Sequence, residues 1–241
     1  MALPLAYLPI ARINNPVVIA RVDGMSLDLR AEIIPFRGVD IVELPEPVAK
    51  YVIEFKKELE RVVNLSFKLV CKGRTDYDAL AYVTITNQIL RTLLSHLRED
   101  DYEIAYSIDY RLGLLDHVLA LRLTDIVNSH YAWRRGEPLV ELGDKIAFRV
   151  RAIRKVAKPN EPFLEVDREA LVHVIGKSAI ALAKAIVEGD FRRIRRVMEF
   201  INGLWYSIYS LKTPCGEVFS TYIPGLEEVY CVELDFNPKT S

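Results

Sequence analysis

The chain has 241 residues, of which 51% are hydrophobic and 27% are charged, a composition that is typical of a globular protein and argues against disorder. Its 32 basic and 33 acidic residues give a net charge of -1, so no overall positive field attracts nucleic acid or an acidic membrane. We find no apolar run of the roughly 18 residues that span a bilayer, and two prolines interrupt the apolar N-terminus. These features predict a cytoplasmic protein that does not bind a membrane.

The cysteine content argues against a metal site. Cys71, Cys215 and Cys231 are scattered along the chain without a C-x-x-C pair, so we predict no zinc site. Gln88 is the only glutamine, and such a depletion of thermolabile amides is typical of thermophilic proteins. Because intracellular proteins of hyperthermophiles often contain disulfides, a bridge between two of the three cysteines remains open.

Strands dominate the beginning of the chain. Residues 17–22 and 27–35 are rich in β-branched and aliphatic side chains, and the intervening Asp23-Gly24 is a strong hairpin signal. Residues 39–44 predict a third strand. A helix follows over residues 46–62, with a proline in its first turn and apolar residues at three- and four-residue spacing.

The next stretch is the most informative one. Residues 66–72 predict a strand, residues 73–76 a tight turn and residues 78–94 an amphipathic helix. In nucleotide-binding proteins, glycines in such a turn let the backbone approach a phosphate at the positive N-terminus of the helix. Here the turn has one glycine, and Asp76 and Asp78 lie where the phosphate would bind. The segment has the topology of a phosphate site without most of its chemistry.

Residues 102–108 predict a further strand, and the apolar residues 112–123 that follow contain Asp116. A carboxylate with apolar neighbours can have a raised pKa and act as a general base. The alternative, which we favour, is an aspartate that caps a helix. On a helix the side chain of His117 points about 100° away from that of Asp116, so the two do not form an acid/base pair. The polar residues 134–138 predict a domain boundary.

The second half of the chain predicts a strand, two helices and a hairpin. Residues 146–156 alternate in polarity as a half-buried strand does. The helices are predicted over residues 167–188 and 190–209, each with an aspartate at its N-cap. Residues 218–222 and 229–236 predict a closing hairpin.

Most other charged or titratable side chains are interpreted as structural. The arginines at positions 192, 193, 195 and 196 would suit a phosphate or RNA, but they fall on the solvated flank of the second of these helices. His96, His130 and His173 have no partner at metal-ligand spacing. Lys72 and Arg74, at the central turn, are the cations that we expect to bring an anion to the protein.

This order of elements resembles that of the GHMP small-molecule kinase superfamily over nearly the whole chain. Ala11-Arg12-Ile13-Asn14 is similar to the first motif, on the substrate side, and Gly113-Leu114-Leu115-Asp116 stands where these kinases carry a catalytic aspartate. Residues 73–81 occupy the place of the phosphate loop, which normally reads P-x-x-x-G-L-G-S-S-A, and residues 218–236 that of the last glycine-rich motif.

The resemblance implies an α+β fold with a GHMP-kinase-like, two-domain architecture. We expect an N-terminal domain at residues 1–138, with a mixed β-sheet and helices, and a ferredoxin-like α/β C-terminal domain at residues 139–241. Carried over residue by residue, the resemblance implies a catalytic residue, four residues at the cofactor phosphates and one at the substrate. The catalytic residue is Asp116, and the substrate residue is Asn14. The residues at the cofactor phosphates are Lys72, Gly73, Arg74 and Thr75.

Two functions are open at this stage. We favour a non-catalytic protein with a degenerate nucleotide-binding loop that binds a small molecule or a protein, because each aspartate at the start of the helix opposes a phosphate by about 1 kcal/mol. The alternative is an atypical kinase that requires ATP and magnesium and uses Asp116 as its base. The sequence disfavours nucleic acid as a partner and leaves the identity of the ligand and the formation of a homodimer open.

Overall fold

A computed structural model of the chain describes residues 1–10, 14–34, 39–94, 99–156, 168–211, 215–216 and 219–238. These residues form ten strands, six α-helices and one short 3-10 helix, so the predicted α+β class is confirmed. The strands are β1 (Ala2–Leu5), β2 (Val17–Asp23), β3 (Leu27–Ile34), β4 (Ile41–Glu43), β5 (Lys68–Thr75), β6 (His130–Trp133), β7 (Val140–Gly143), β8 (Ile146–Val156), β9 (Ser220–Pro224) and β10 (Val229–Pro238). The helices are α1 (Val48–Val63), α2 (Asp78–Leu94), α3 (Glu99–Arg111), α4 (Asp116–Arg122), α5 (Arg168–Glu188) and α6 (Phe191–Tyr209).

The chain divides into two compact units. The central unit is Ser26–Arg122, and the two-segment unit consists of Met1–Met25 and Leu123–Ser241. Met1–Met25 belongs to the same unit as Leu123–Ser241 because β2 pairs with both β6 and β8. The sequence analysis instead places a domain boundary between residues 138 and 139, and that boundary stays a prediction.

A seven-stranded sheet is the framework of the two-segment unit. The strand order is β7-β6-β2-β8-β10-β9, with β1 paired to β2. Strands β2 and β8 run parallel, whereas the other pairs are antiparallel. Helix α5 contacts β2, β6, β7 and α6, and α6 also contacts β9. The core contains Ile175 and Leu182 from α5 and Ile194 and Trp205 from α6, all of them buried.

A disulfide links the segment before β9 to strand β10. It joins Cys215 and Cys231, whose Cα atoms are 5.3 Å apart, and thereby decides the pairing that the sequence leaves open. Cys71, in the central unit, is a free thiol and is buried. Burial, together with the nearby carboxylate of Asp40, raises the pKa of this thiol to about 12.

A three-stranded sheet and the helices α1 to α4 form the central unit. The strand order is β3-β5-β4, in which β3 is antiparallel and β4 parallel to the central strand β5. Helix α2 packs on β3 and β5, and helices α1 and α4 pack against α2. Every second residue of β3 is exposed, so the opposite face of the sheet is open to solvent.

The hairpin predicted around Asp23-Gly24 is wrong. Both of its strands exist, but β2 pairs within the seven-stranded sheet, whereas β3 pairs with β5 in the other unit. Gly24 has a φ of +85°, and an added Cβ would lie 2.5 Å from the carbonyl oxygen of Val150. The glycine therefore makes a left-handed corner where the chain passes close to β8, and not a hairpin turn.

The strand predicted at residues 102–108 is also wrong, because these residues lie in α3. The buried positions in this region are Tyr102, Ala105, Ile108 and Asp109. Their spacing is that of one helix face, where residues three and four apart are neighbours. Seven residues of mixed polarity are too few to distinguish this spacing from the alternation of a strand.

Other elements agree with the prediction. Helix α2 spans the predicted residues 78–94. The side chain of Asp190 caps α6, because its Oδ1 accepts a hydrogen bond from the amide of Arg193 at 3.0 Å. Strands β9 and β10 form the predicted closing hairpin. The predicted N-cap at Asp167 lies outside the described residues.

Helix α5 is more apolar than the sequence analysis recognised. Its segment Glu169–Glu188 has a mean hydropathy of 1.7 and is long enough to cross a membrane by length and composition alone. Lys177 and Lys184 interrupt the apolar run, which is why a search for uncharged stretches missed it. The helix contacts three strands and α6 of its own unit, and 39% of the apolar segment is buried. A cytoplasmic location stays a prediction.

Candidate functional site

Strand β5 continues through most of the predicted phosphate turn. Residues 73–75, predicted as part of a tight turn, instead pair with β3, so that Gly73 lies opposite Leu29. Gly73 has a φ of +150°, and an added Cβ would lie 2.0 Å from the carbonyl oxygen of Asp28. The glycine therefore allows a close approach between two strands, and the segment is part of a sheet ladder.

The connection from β5 to α2 is closed by its own side chains. The hydroxyl of Thr75 accepts a hydrogen bond from the amide of Tyr77 at 3.0 Å and donates one to the carbonyl of Tyr77 at 2.9 Å. The carboxylate of Asp76 accepts a hydrogen bond from the amide of Ser26 at 2.7 Å. The hydroxyl of Thr75 thus satisfies a backbone group of its own turn, and the carboxylate of Asp76 satisfies one of the segment before β3.

The N-terminus of α2 is buried and contains an acidic side chain. Tyr77, Asp78 and Ala79 are all buried. Asp78 is the acidic residue in the first turn, where a carboxylate interacts favourably with the helix dipole. A phosphate at this position would need amide groups that it can reach and would be repelled by this carboxylate.

Lys72 and Arg74 lie on the open face of the three-stranded sheet. Both side chains are exposed, and they stand opposite Arg30 and Asp28 of β3, respectively. Glu43 of β4 is paired with Lys72 from the other side. These five side chains surround a cavity of about 380 Å³. We call them the charged sheet face.

The charged sheet face contains more positive than negative charge. Arg30, Lys72 and Arg74 contribute three cations, and Asp28 and Glu43 contribute two carboxylates. Within the described part of the chain, none of the three cations has a carboxylate within 4.0 Å. Their donors are therefore available to an anion that enters the cavity.

Asp116 is buried and is the first residue of α4. The amides of Val118 and Leu119 donate hydrogen bonds to the carbonyl of Leu115 at the start of this helix. Gly113 has a φ of +74° and provides the turn that leads into it. His117 is buried as well. Both interpretations of Asp116, as a base and as a residue that stabilises the start of its helix, stay predictions.

The other predicted site residues are divided between the two units. Asn14 is exposed and belongs to the two-segment unit, where its amide donates a hydrogen bond to the carbonyl of Arg135 at 3.0 Å. Lys72, Gly73, Arg74 and Thr75 belong to β5 of the central unit. The structure brings Lys72, Gly73 and Arg74 together around one cavity, whereas the hydroxyl of Thr75 is hydrogen-bonded to the backbone of the neighbouring Tyr77.

The sequence analysis missed a buried ion pair in the central unit. The guanidinium of Arg122 donates to both carboxylate oxygens of Asp109, and neither side chain contacts water. Arg122 also donates to Thr86 at 3.0 Å and to Asn87 at 2.8 Å. Burial alone would lower the pKa of Arg122, but the carboxylate of Asp109 raises it above its usual value. An arginine within an apolar run was the only signal in the sequence.

The histidines that the structure describes have structural environments. His130 is buried, and its Nδ1 accepts a hydrogen bond from the amide of Arg21 at 3.0 Å, so its Nε2 carries the proton and donates to the carbonyl of Ile146 at 2.7 Å. His173 is exposed on α5, and His96 lies outside the described residues. Among the described residues, no cluster of three or more histidine, cysteine, aspartate and glutamate side chains could hold a metal ion.

The arginine run of α6 lies on the solvated flank of the helix, as predicted. Arg192, Arg195 and Arg196 are exposed, whereas Ile194 and Met198 are buried. Arg193 forms an ion pair with Glu188 at 3.3 Å, and Arg195 forms one with Glu199 at 3.5 Å. Such exposed pairs contribute little to stability.

Comparison with known proteins identifies the fold. No family model matches the sequence, and no curated protein sequence matches it. Among solved structures, mevalonate diphosphate decarboxylase from Enterococcus faecalis has a TM-score of 0.63 at 10% identity, covering 99% of this chain and 87% of that chain. The enzyme of the same name from Staphylococcus aureus has a TM-score of 0.61 at 9% identity, covering 99% and 86%.

A D-glycero-D-manno-heptose 1-phosphate kinase from Bacteroides thetaiotaomicron is also similar. Its TM-score is 0.52 at 16% identity, and the match covers 90% of this chain and 79% of that chain. These enzymes belong to the GHMP kinase superfamily. Because the identities are low, the likeness concerns the fold alone. The chain has a GHMP-kinase-like fold.

Proposed function

We propose that the protein is a non-catalytic, divergent relative of the GHMP kinases that binds a small anionic molecule, or an anionic group of a protein partner, at the charged sheet face. The observation that carries this proposal is the strand register through Gly73. Residues 73–75, which would have to form the start of an open phosphate loop, are paired with β3 instead. The loop is in this sense degraded.

The surroundings of the former loop support the same function. The hydroxyl of Thr75 is bonded to the backbone of Tyr77, and the start of α2 is buried with Asp78 in its first turn. A triphosphate would find few free donors there. The three cations of the charged sheet face, in contrast, are exposed and surround a cavity that lies within the size range of small-molecule sites.

Calorimetric titration of the full-length protein tests this function directly. We expect citrate to bind saturably and ATP with magnesium not to bind in the millimolar range, since magnesium already neutralises part of the charge of the phosphates. Lys72→Gln and Arg74→Gln should each weaken citrate binding about fivefold, the effect of one partly exposed ion pair. Lys68→Gln is the matched control, because Lys68 lies on the same strand but does not line the cavity. If all three variants bind citrate with equal affinity, the charged sheet face is not the binding site.

The alternative function is an atypical ATP-dependent small-molecule kinase, and the burial of Asp116 at the start of α4 favours it. In this function Asp116 is the general base, Lys72, Gly73, Arg74 and Thr75 hold the phosphates of ATP with magnesium, and Asn14 contacts the substrate. One structural neighbour is named as a sugar-phosphate kinase, which is consistent with phosphoryl transfer.

Phosphoryl transfer is tested with Asp116→Asn. A thermal-shift screen with ATP and magnesium should show no stabilisation at millimolar concentration under the favoured proposal, whereas a ligand at a hundred times its dissociation constant stabilises by roughly 2.7 kcal/mol. Saturable ATP binding together with a turnover that Asp116→Asn abolishes would establish the kinase. Gly73→Val is unsuitable as a control, because its Cβ would collide with the backbone of Asp28 whether or not ATP binds.

A further inference from the structure

A groove on the two-segment unit lies between helix α5 and the hairpin of β6 and β7. Its volume is about 410 Å³, within the range of small-molecule sites. Most of its wall is apolar, and we call it the α5 groove. The apolar wall includes Pro16, Ala132, Trp133, Leu142, Ala179 and Ala183.

The rim of the α5 groove exposes large apolar side chains to solvent. Ile180 is 58% exposed, Val140 is 54% exposed and Val187 is 43% exposed. All three line the groove, so these side chains form one continuous apolar patch with its wall. Exposed apolar patches with a polar margin are typical of binding sites. Alanines at positions 179 and 183 of α5 leave the space that forms the groove.

The charged side chains at the groove leave one positive charge for a ligand. Arg134 forms an ion pair with Glu137 at 3.0 Å, and Glu188 forms one with Arg193 at 3.3 Å. Lys184 also lines the groove, and among the described residues it has no carboxylate within 4.0 Å. An ammonium group beside an apolar wall is complementary to a carboxylate that carries an aliphatic chain.

We propose that the α5 groove binds a small amphipathic carboxylate, an aliphatic acid whose chain lies against Ala179, Ala183 and Trp133 and whose head group pairs with Lys184. This site shares no residue with the charged sheet face and goes beyond the function proposed above. A ligand with the same aliphatic chain and a neutral head group would gain the apolar contacts without the ion pair. A ligand with a cationic head group would be repelled by Lys184.

Calorimetric titration of decanoate into the full-length protein, below the concentration at which decanoate forms micelles, tests this site. Decan-1-ol and decyltrimethylammonium keep the chain and change the head group. We expect saturable binding of decanoate, weaker binding of the alcohol and none of the cation. Because Trp133 lines the groove, its fluorescence should change with the same dissociation constant. A Trp133→Phe variant should lose this signal but retain the heat of binding.

Two variants and a control make the test specific. Lys184→Gln should weaken decanoate binding about fivefold and leave decan-1-ol unaffected, whereas Lys177→Gln on the same helix should change neither. Ala183→Phe fills the groove and should abolish saturable binding of both. If that variant does not fold, the exposed Val140→Asp, which adds a carboxylate at the rim, should still weaken decanoate binding. Equal binding of the three decyl compounds would overturn the proposal, as would no binding of decanoate at all. Decanoate binding that Lys184→Gln and the groove variant both leave intact would overturn it as well.

Discussion

At the scale of single residues, the central unit contains an ion pair that has no contact with water. Asp109 and Arg122 are fully buried, and Tyr82 donates a further hydrogen bond to Asp109 at 2.6 Å. The guanidinium lies 5.0 Å from the ring centroid of Phe55. A buried charge is tolerated only when its partner and its remaining hydrogen bonds are supplied, and here they come from α2, α3 and α4. The pair therefore fixes the arrangement of three helices.

The first prediction follows from this burial. Asp109→Ala leaves the Arg122 charge buried without its carboxylate, and it should lower the free energy of unfolding by about 3 to 5 kcal/mol. The measurement is urea denaturation followed by circular dichroism. Asp235→Ala is the matched control, because it removes an exposed ion pair with Arg151 and should cost about 1 kcal/mol or less. Similar losses in both variants would show that the pair has no special role.

The second prediction concerns Gly73. Gly73→Ala should lower the free energy of unfolding by about 2 kcal/mol or more, since the new Cβ meets the backbone of Asp28 and the φ of +150° disfavours any side chain. Gly203→Ala in α6 should instead stabilise by about 0.5 to 1 kcal/mol, because nothing lies near its Cβ position and alanine is the better helix former. A neutral Gly73→Ala variant would contradict the close strand approach.

The contacts of Gly73 and Arg122 could not be predicted from the sequence. The analysis identified Gly73 as important because a glycine before a helix resembles a phosphate loop, and the structure gives it a role in strand packing. The pairing that causes this involves β3, which lies far away in the sequence. The ion pair of Arg122 was missed, because its partner Asp109 is on a different helix. Neither contact is encoded in local spacing.

At the scale of elements, the existence of most elements was predicted well, whereas the pairing of strands was not. Helix α2 and strand β8 match the predicted residues, because many positions repeat the same periodicity. Strands β2 and β3 were found, but their partners were assigned wrongly, since a turn signal such as Asp23-Gly24 does not specify which strands pair. Pairing depends on residues that lie far apart in the chain.

The third prediction concerns the disulfide between Cys215 and Cys231. These cysteines are 16 residues apart, and a loop of about this length stabilises by roughly 3 kcal/mol when it is closed. A reducing agent should therefore lower the urea midpoint of the wild-type protein and leave that of the double variant Cys215→Ser, Cys231→Ser unchanged. Thiol titration in denaturant without reductant should find the single thiol of Cys71. Three titrated thiols would contradict the bridge.

At the scale of the whole molecule, the two compact units differ in how the chain builds them. The central unit is one continuous segment, Ser26–Arg122, with its own sheet and the buried ion pair. The two-segment unit needs both ends of the chain, because β2 pairs with β8. The order of elements along the sequence predicts the fold class but not this division. The order does not reveal that β2 pairs with β6 and β8, which lie in the later half of the chain.

The fourth prediction uses this division. A fragment of residues 26–122 should fold alone and unfold cooperatively in urea, because its core is complete within one segment. A fragment of residues 1–138, which follows the boundary expected from the sequence, should expose unpaired strands, because it contains β2 without β8. Near-ultraviolet circular dichroism and light scattering distinguish the two fragments. A well-folded 1–138 fragment together with an unfolded 26–122 fragment would support the boundary at 138 instead.

The two-segment unit has a consequence for biosynthesis. On the ribosome β1 and β2 are synthesised before the central unit, but β8, which pairs with β2, begins only at Ile146, after the central unit has been translated. Translation proceeds at about 5 to 20 residues per second, so these apolar strands remain without β8 for several seconds. The central unit can already fold during this time. During this interval their edges are open to pairing with other nascent chains, so we expect the yield of native protein to depend on chaperones and on the speed of translation through the central unit.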